Sequence, residues 1–201
     1  METLYDKVND CYRVYVKIKI GERWCYLKAV LDTGATHTVI ALGELVRKSE
    51  VLKSSEKFDA YAREKGIKQV RIKGATVDSD IRKTYAYDAC FDNVFVGGHL
   101  MRKFHARVMI NGASNISVIG NDFLNMCKYY HNAGEYQLTV ENPIEQKYYA
   151  SFSGSKVLSN ECLNVLFSSI EEERDACSML DNFLKEEEAK MMEAGRKLLD
   201  S

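Results

Sequence analysis

A short polar turn stands between two apolar runs in the first quarter of the chain, and it limits what the chain can fold into. The turn consists of Asp32, Thr33, Gly34, Ala35 and Thr36. Residues 29–31 lead into it and residues 39–40 lead away, so the pattern predicts a strand that delivers a carboxylate to a tight turn. Glycine lets backbone N–H groups approach that carboxylate closely. Since Asp-Thr-Gly is also an ordinary turn tripeptide, it needs support from elsewhere in the chain.

A second segment far downstream supplies that support. It reads Ile116-Ser117-Val118-Ile119-Gly120-Asn121-Asp122-Phe123-Leu124. This order predicts an apolar strand that ends in glycine, then a polar pair, then the apolar start of a helix. Asp122 falls near the start of that helix, and we expect its carboxylate to cap free backbone N–H groups there.

Taken together, the two segments resemble the active-site turn and the strand–helix segment of retropepsin-like aspartic proteases. The resemblance implies a mainly β fold, a retropepsin-like closed β-barrel or sandwich domain with one short helix. It implies that Asp32 is catalytic and that Thr33, Gly34, Ala35 and Thr36 support the active-site turn. It also implies that Ile119, Gly120, Asn121 and Asp122 pass beside that turn.

The chain holds a single Asp-Thr-Gly turn, and the nearest approach to a second, Asp78-Ser79-Asp80, lacks the glycine. Retropepsins complete their site by pairing two identical chains, so the resemblance implies a homodimer with two Asp32 carboxylates on its two-fold axis. In this family the paired carboxylates share one proton: one activates a water and the other donates to the scissile carbonyl, with no metal or cofactor. We therefore expect an endopeptidase that acts on peptide or protein substrates.

Composition bounds the partners and the compartment. The formal net charge of −1 gives no whole-molecule field for nucleic acid or for an anionic membrane. No apolar stretch approaches the roughly 20 residues that span a bilayer, and the N-terminal segment lacks the layout of a secretory signal. We expect a cytoplasmic protein with neither a nucleic-acid nor a membrane partner.

The metal-binding residue types show no metal-binding pattern. The six cysteines lie far apart without a C-x-x-C pair, and the four histidines lack ligand spacing, so no metal site is expected. His37 stands three residues after Gly34, and we interpret it as structural rather than as a third catalytic group.

The remaining pattern divides into strands, one helical insertion and a hairpin. Alternation over residues 12–20, broken at Tyr15, predicts a half-buried strand, and residues 24–31 predict its hairpin partner. Residues 42–66 predict a helical insertion that ends near Gly66. Further strands flank a Gly97-Gly98 turn, and residues 135–141 are expected to complete the sheet. A hairpin over residues 69–91 resembles the substrate-binding flap, with a tip at Gly74, Ala75, Thr76, Val77 and Asp78.

The chain changes character near residue 150. We expect residues 1–150 to form the protease domain and residues 151–201 an acidic helical extension. Residues 158–201 carry a net charge of −6, and apolar residues recur there every seven positions. The recurring residues are Leu163, Ile170, Cys177, Leu184, Met191 and Leu198. This pattern fits an amphipathic helix that packs on its own domain, or a coiled coil that reinforces a dimer.

Two other functions are compatible with the sequence. One is a non-catalytic, dimeric retropepsin-like module that binds extended peptides, although such a module has no need of the carboxylate. The other is an adaptor that acts through its helical tail, with the turn a coincidence. Peptide cleavage that is lost in Asp32→Asn separates the enzyme from both.

Overall fold

The computed structural model describes residues 3–45, 48–72, 85–109, 116–132, 137–140 and 156–169. The chain divides into two compact units, Met1–Asn164 and Val165–Ser201. The strands are β1 (Leu4–Asp6), β2 (Cys11–Ile20), β3 (Arg23–Leu31), β4 (Val39–Ala41), β5 (Gln69–Arg71), β6 (Tyr85–Val96), β7 (His99–Met109), β8 (Val118–Ile119), β9 (Tyr129–Asn132) and β10 (Gln137–Val140). The helices are α1 (Leu42–Leu45), α2 (Lys48–Lys65), α3 (Asn121–Leu124) and α4 (160–169).

The first compact unit is built on a closed barrel. Its main sheet has the order β1-β2-β3-β8-β4-β7-β6-β5, and an additional pairing of β2 with β6 closes the six strands from β2 to β6 into a ring. Most neighbours are antiparallel, but β3 with β8 and β4 with β7 are parallel. The closed barrel confirms the mainly β, retropepsin-like fold expected from the sequence.

The barrel core follows from alternation along the strands. On β2, every second residue from Val14 to Ile20 is buried, and on β3 the same holds for Leu27 and Ala29. Each fully buried aliphatic side chain of this kind contributes about 1.5–3 kcal/mol to stability. Tyr15 is exposed and lies on the same side as the lysines of β2, so the alternation continues through it.

The helical insertion forms as predicted, as α1 and α2. Gly66 ends α2 with φ of +69°, and the Ile67 N–H donates to the Ala62 carbonyl at 2.8 Å, as in a Schellman cap. Phe58 is buried and its ring lies 5.4 Å from that of Tyr87 on β6. The Tyr87 hydroxyl donates to the α2 carboxylate of Asp59, so one apolar and one polar contact hold α2 against the barrel.

The sequence predicted a hairpin over residues 69–91 and a last strand at residues 135–141. The base of the hairpin predicted over residues 69–91 forms where β5 pairs with the start of β6, whereas the tip predicted for the flap, Gly74 to Asp78, lies outside the described residues. The strand predicted at residues 135–141 forms at Gln137–Val140, but it pairs with Tyr129–Asn132 in a separate two-stranded sheet. Within the described chain it therefore makes a local hairpin and does not complete the barrel, because a nearby strand offers pairing at a lower loop-closure cost.

The first residues of the acidic segment belong to the barrel unit. Leu158 forms a parallel bridge with Ala89: its N–H donates to the Asp88 carbonyl at 3.0 Å, and its carbonyl accepts from the Cys90 N–H at 2.8 Å. The Asn160 side chain then joins two strands, since it donates to a β2 carbonyl at 2.8 Å and accepts a β6 N–H at 2.6 Å. Residues 156–164 thus lie along the barrel as a strap.

Candidate active site

The Asp32 turn is positioned by a strand from much later in the chain. Strand β8 lies between β3 and β4, parallel to the first and antiparallel to the second. The Val30 N–H donates to the Ser117 carbonyl at 2.8 Å, and the Asp32 N–H donates to the Ile119 carbonyl at 3.0 Å. Residues 32–38 therefore form a loop whose two ends are held by the strand between them.

The Asp32 carboxylate is oriented by its own turn and is open to solvent. The Gly34 N–H donates to Asp32 Oδ1 at 2.7 Å, and the Ala35 N–H donates to the Asp32 carbonyl at 3.2 Å. Asp32, Thr33 and Gly34 are all exposed in the single chain. A Cβ at residue 34 would lie 3.1 Å from Asp32 Oδ1, so glycine gives the N–H its close approach.

The downstream segment braces the turn from behind. The Asn121 side-chain amide donates to the Thr33 carbonyl at 2.6 Å, and the Asn121 N–H donates to the Ala35 carbonyl at 2.8 Å. The Asp122 N–H donates to the Thr36 carbonyl at 3.1 Å. The two segments singled out in the sequence are therefore in direct contact, with three carbonyls of the turn held by two consecutive residues.

Asp122 does not perform the capping role expected from the sequence. No side-chain hydrogen bond caps α3, which follows Gly120. Instead the Asp122 carboxylate accepts the Thr38 N–H at 2.8 and 2.9 Å and the Thr38 hydroxyl at 2.7 Å. The carboxylate sits within the first turn of the helix, beyond the cap position, so its oxygens reach the start of β4 rather than the N–H groups of its own helix.

Gly120 lies where two backbones approach most closely. A Cβ at this position would lie 2.5 Å from the His37 carbonyl carbon, 2.6 Å from its oxygen and 2.9 Å from the Ala35 oxygen. The Gly120 N–H donates to the Thr38 hydroxyl at 3.1 Å. Glycine is required here because the loop of residues 32–38 passes through the space that any side chain would occupy.

His37 faces Asp122. Its Nδ1 lies 3.7 Å from Asp122 Oδ2, and the imidazole is about 41% exposed. This contact belongs to the support beneath the turn, which agrees with the structural interpretation of His37.

Thr38 and Ser117 are organising residues that the sequence reasoning missed. They are the buried polar residues of the described chain. The Ser117 hydroxyl accepts the Ala41 N–H at 3.1 Å, and the Ser117 N–H donates to Glu44 Oε2 at 3.2 Å. Each hydroxyl residue borders an apolar strand, and that placement is the only signal the sequence offered.

The described ranges contain neither a metal-binding cluster nor a membrane-spanning helix. Those residues include no group of three histidine, cysteine or carboxylate side chains arranged to hold a metal ion. None of the helices found there combines the length and apolar character needed to cross a membrane.

Comparison with known proteins gives the family. The family model for retroviral aspartyl protease matches residues 10–131, more than half of the chain. Among solved structures, a retropepsin-like aspartic protease from Rickettsia conorii is similar at 13% identity, with a TM-score of 0.40, over 69% of this chain and 87% of that one. The comparison with curated proteins gave no match. On the match over residues 10–131, the chain belongs to the retroviral aspartyl protease family.

Proposed function

We propose that the protein is an aspartic endopeptidase whose catalytic site forms when two copies bring their Asp32 carboxylates together. The family is one of aspartic proteases, which supports a hydrolase. The observation that carries the proposal is the exposed carboxylate of Asp32, held at a braced turn by the Gly34 N–H. Such a group is half of a two-carboxylate site, and the chain has a single turn of this kind.

The electrostatics of Asp32 suit a shared proton. Within the described part of the chain, no cationic side chain forms an ion pair with Asp32. An adjacent lysine or arginine would favour the ionised carboxylate, whereas a second carboxylate disfavours double ionisation. On pairing, one Asp32 therefore keeps a proton and donates it to the scissile carbonyl, while the other takes a proton from the attacking water.

Both copies contribute the same loop residues at the two-fold axis. Thr33 follows the catalytic residue and is exposed, with its carbonyl held by Asn121, so its hydroxyl is available to brace the partner turn. An extended peptide would lie across the paired turns, between the carboxylates and the flaps. Thr36 is exposed in the same loop, and its carbonyl is held by Asp122.

A subunit-mixing experiment tests both halves of the proposal. Cleavage of a fluorogenic peptide library is measured for wild type, for Asp32→Asn and for mixtures re-equilibrated at constant total protein. Asp32→Asn should abolish turnover while preserving the fold, since the two side chains have the same shape. If each site needs both carboxylates, an equal mixture retains about a quarter of the wild-type activity, whereas independent monomeric sites retain about half.

Matched controls make that result specific. Glu64→Gln changes an exposed carboxylate on α2 to an amide and should leave turnover unchanged, alone or in mixtures. A statine inhibitor that mimics the tetrahedral intermediate should bind wild type more tightly than substrate peptides. Peptide binding without cleavage would instead favour the non-catalytic module, and full turnover by Asp32→Asn would contradict the assignment.

We also propose a reducing, cytoplasmic environment. Cys11, Cys90, Cys127 and Cys162, within the described ranges, are thiols that take part in no disulfide. Dispersed free thiols are typical of compartments in which glutathione keeps cysteine reduced. Fractionation of cells that express the full chain tests this placement.

A further inference from the structure

The outer wall of the barrel carries an aromatic–lysine face, which consists of Tyr15, Lys17, Trp24, Tyr26, Lys28 and Phe95. Cross-strand register brings these residues together, because Tyr15 pairs with Lys28, and Lys17 pairs with both Tyr26 and Phe95. Side chains at opposed positions of neighbouring strands lie on one face of the sheet. The face therefore continues across three strands, β3, β2 and β6.

Lysine and aromatic side chains alternate within the face at close range. The Lys17 ammonium lies 4.4 Å from the ring centroid of Trp24, 5.3 Å from that of Tyr26 and 5.5 Å from that of Phe95. The Lys28 ammonium lies 5.4 Å from the Tyr15 ring. Each contact is within cation–π range, so the cations are held against the rings instead of extending freely into water.

The rings are accessible. Tyr26 is 60% exposed, Tyr15 44% and Trp24 37%, although the opposite side of the same strands is almost fully buried. Three large exposed rings on one side of the sheet form an apolar patch of the kind that often marks a binding site. Cation–π contacts explain how the side chains of the face are arranged, but they do not explain why three of its rings are exposed to solvent.

The face is also locally cationic. Strands β2 and β3 together contain five basic residues, Arg13, Lys17, Lys19, Arg23 and Lys28, and no acidic residue. Asp6 pairs with Arg13, and Glu22 pairs with Lys19 at 3.3 Å. Lys17 and Lys28 form no ion pair within the described ranges. The net charge of −1 conceals this surface because acidic residues elsewhere offset it.

We propose that the aromatic–lysine face binds single-stranded nucleic acid. Phosphates pair with the lysines, and unpaired bases stack on the open rings, a combination typical of sheet surfaces that bind single strands without strong sequence preference. An acidic peptide would satisfy the charges but offers no planar group for each ring. Along β3, at the rise of a strand, the members of the face lie from about 13 Å (Lys28) to about 26 Å (Trp24) from Asp32, so the face does not include the Asp32 turn.

Trp24 provides a direct reporter because it is the single tryptophan of the chain. Its fluorescence is titrated in the full chain with oligothymidylate and with oligouridylate. Stacking of a base on the indole should quench the emission, and binding should weaken steeply as salt is added. Polyglutamate and inorganic polyphosphate, which carry charge without bases, should bind at least about tenfold more weakly at equal salt.

Variants locate the binding by anisotropy of a labelled oligonucleotide, a readout that does not depend on Trp24. Tyr15→Ala and Tyr26→Ala should each weaken binding roughly tenfold through lost stacking. Lys17→Gln and Lys28→Gln should each lower the slope of log affinity against log salt by about 0.7. Lys65→Gln is the matched control, since Lys65 lies over the Tyr61 ring at 5.6 Å on α2, and it should have no effect.

Three outcomes would overturn the proposal. Polyglutamate that binds as tightly as the oligonucleotides would assign the face to an acidic protein partner. An effect of Lys65→Gln equal to that of Lys17→Gln would mean that binding is not located on this face. If neither the Trp24 emission nor the anisotropy changes when oligonucleotide is mixed with the protein, the face does not bind single-stranded nucleic acid.

Discussion

Both carboxylate oxygens of Asp122 accept the Thr38 N–H, at 2.8 and 2.9 Å, and one of them also accepts the Thr38 hydroxyl at 2.7 Å. The two residues are separated by 84 positions in the chain, yet the contact fixes the end of the Asp32 loop to the first turn of α3. The hydroxyl also accepts the Gly120 N–H, so Thr38 joins the loop to the second motif at two points. The geometry of Asp32 depends on these hydrogen bonds of Thr38.

Thr38→Val should destabilise the protein by about 1–3 kcal/mol. Valine keeps the shape of threonine, but the Asp122 carboxylate and the Gly120 N–H both lose their hydrogen bond to the hydroxyl. We also expect a lower kcat with little change in KM, since the catalytic loop is misplaced. Denaturant unfolding and steady-state kinetics measure the two effects. Thr36→Val, at an exposed position of the same loop, should change the unfolding free energy by less than about 0.5 kcal/mol. Equal stability of wild type and Thr38→Val would contradict the prediction.

Gly120→Ala should cost about 3 kcal/mol and remove activity, because the methyl group would collide with backbone atoms that cannot move independently. The nearest of these atoms, the His37 carbonyl carbon, lies 2.5 Å from the new Cβ. Gly98→Ala is the contrast, since its φ is +82° but nothing lies within 4 Å. It should cost only about 1 kcal/mol of backbone strain and leave turnover unchanged. Thermal unfolding and peptide cleavage compare the two, and equal losses would show that steric contact at Gly120 is not decisive.

Acid should weaken the start of the barrel through Asp6. Hydrogen bonds from Asn9 and then Arg13 lower the pKa of the Asp6 carboxyl from 3.8 to about 2. Because the folded pKa is depressed, the stabilisation is fully present above the ordinary value of 3.8 and is lost as the pH falls through about 2. Asp6→Asn should therefore be less stable than wild type at neutral pH and equal to it near the lower limit. Unfolding at a series of pH values checks this, and a difference that persists below about 2 would refute it.

Leu163→Ala should destabilise the protein by about 2–4 kcal/mol, because the side chain is fully buried. Val165→Ala, two residues further along α4, is the matched control, since Val165 is 51% exposed, and its effect should stay within about 0.5 kcal/mol. Turnover per folded molecule should not change in either variant if the strap is a stability element. Faster cleavage by Leu163→Ala would instead identify the strap as an inhibitor.

The sequence was sufficient for the parts of the site that depend on local rules. Asp32 and Gly34 form a turn through neighbouring residues, and Gly120 follows a strand that is visible as an apolar run. Gly66 ends its helix as predicted, because a left-handed C′ position favours glycine.

Long-range partners were the part that could not be predicted. A hydroxyl such as that of Thr38 gains its importance from a carboxylate 84 residues away, and no local pattern records the pairing. The capping role assigned to Asp122 was wrong for the same reason, because its carboxylate accepts hydrogen bonds from a residue in a distant part of the chain instead of from its own helix. The strand at Gln137–Val140 was recognised, but its pairing with the nearby Tyr129–Asn132 instead of with the barrel was not.

The insertion of β8 between β3 and β4 also sets the order in which the site can be made during synthesis. The Asp32 turn leaves the ribosome more than 80 residues before Val118, the first residue of the strand that separates the two ends of the turn. Until then the loop lacks the bonds to Ile119, Asn121 and Asp122 that hold it. Pairings of such long sequence separation form late and slowly in folding. A nascent chain therefore carries Asp32 in an unbraced turn until the barrel is closed.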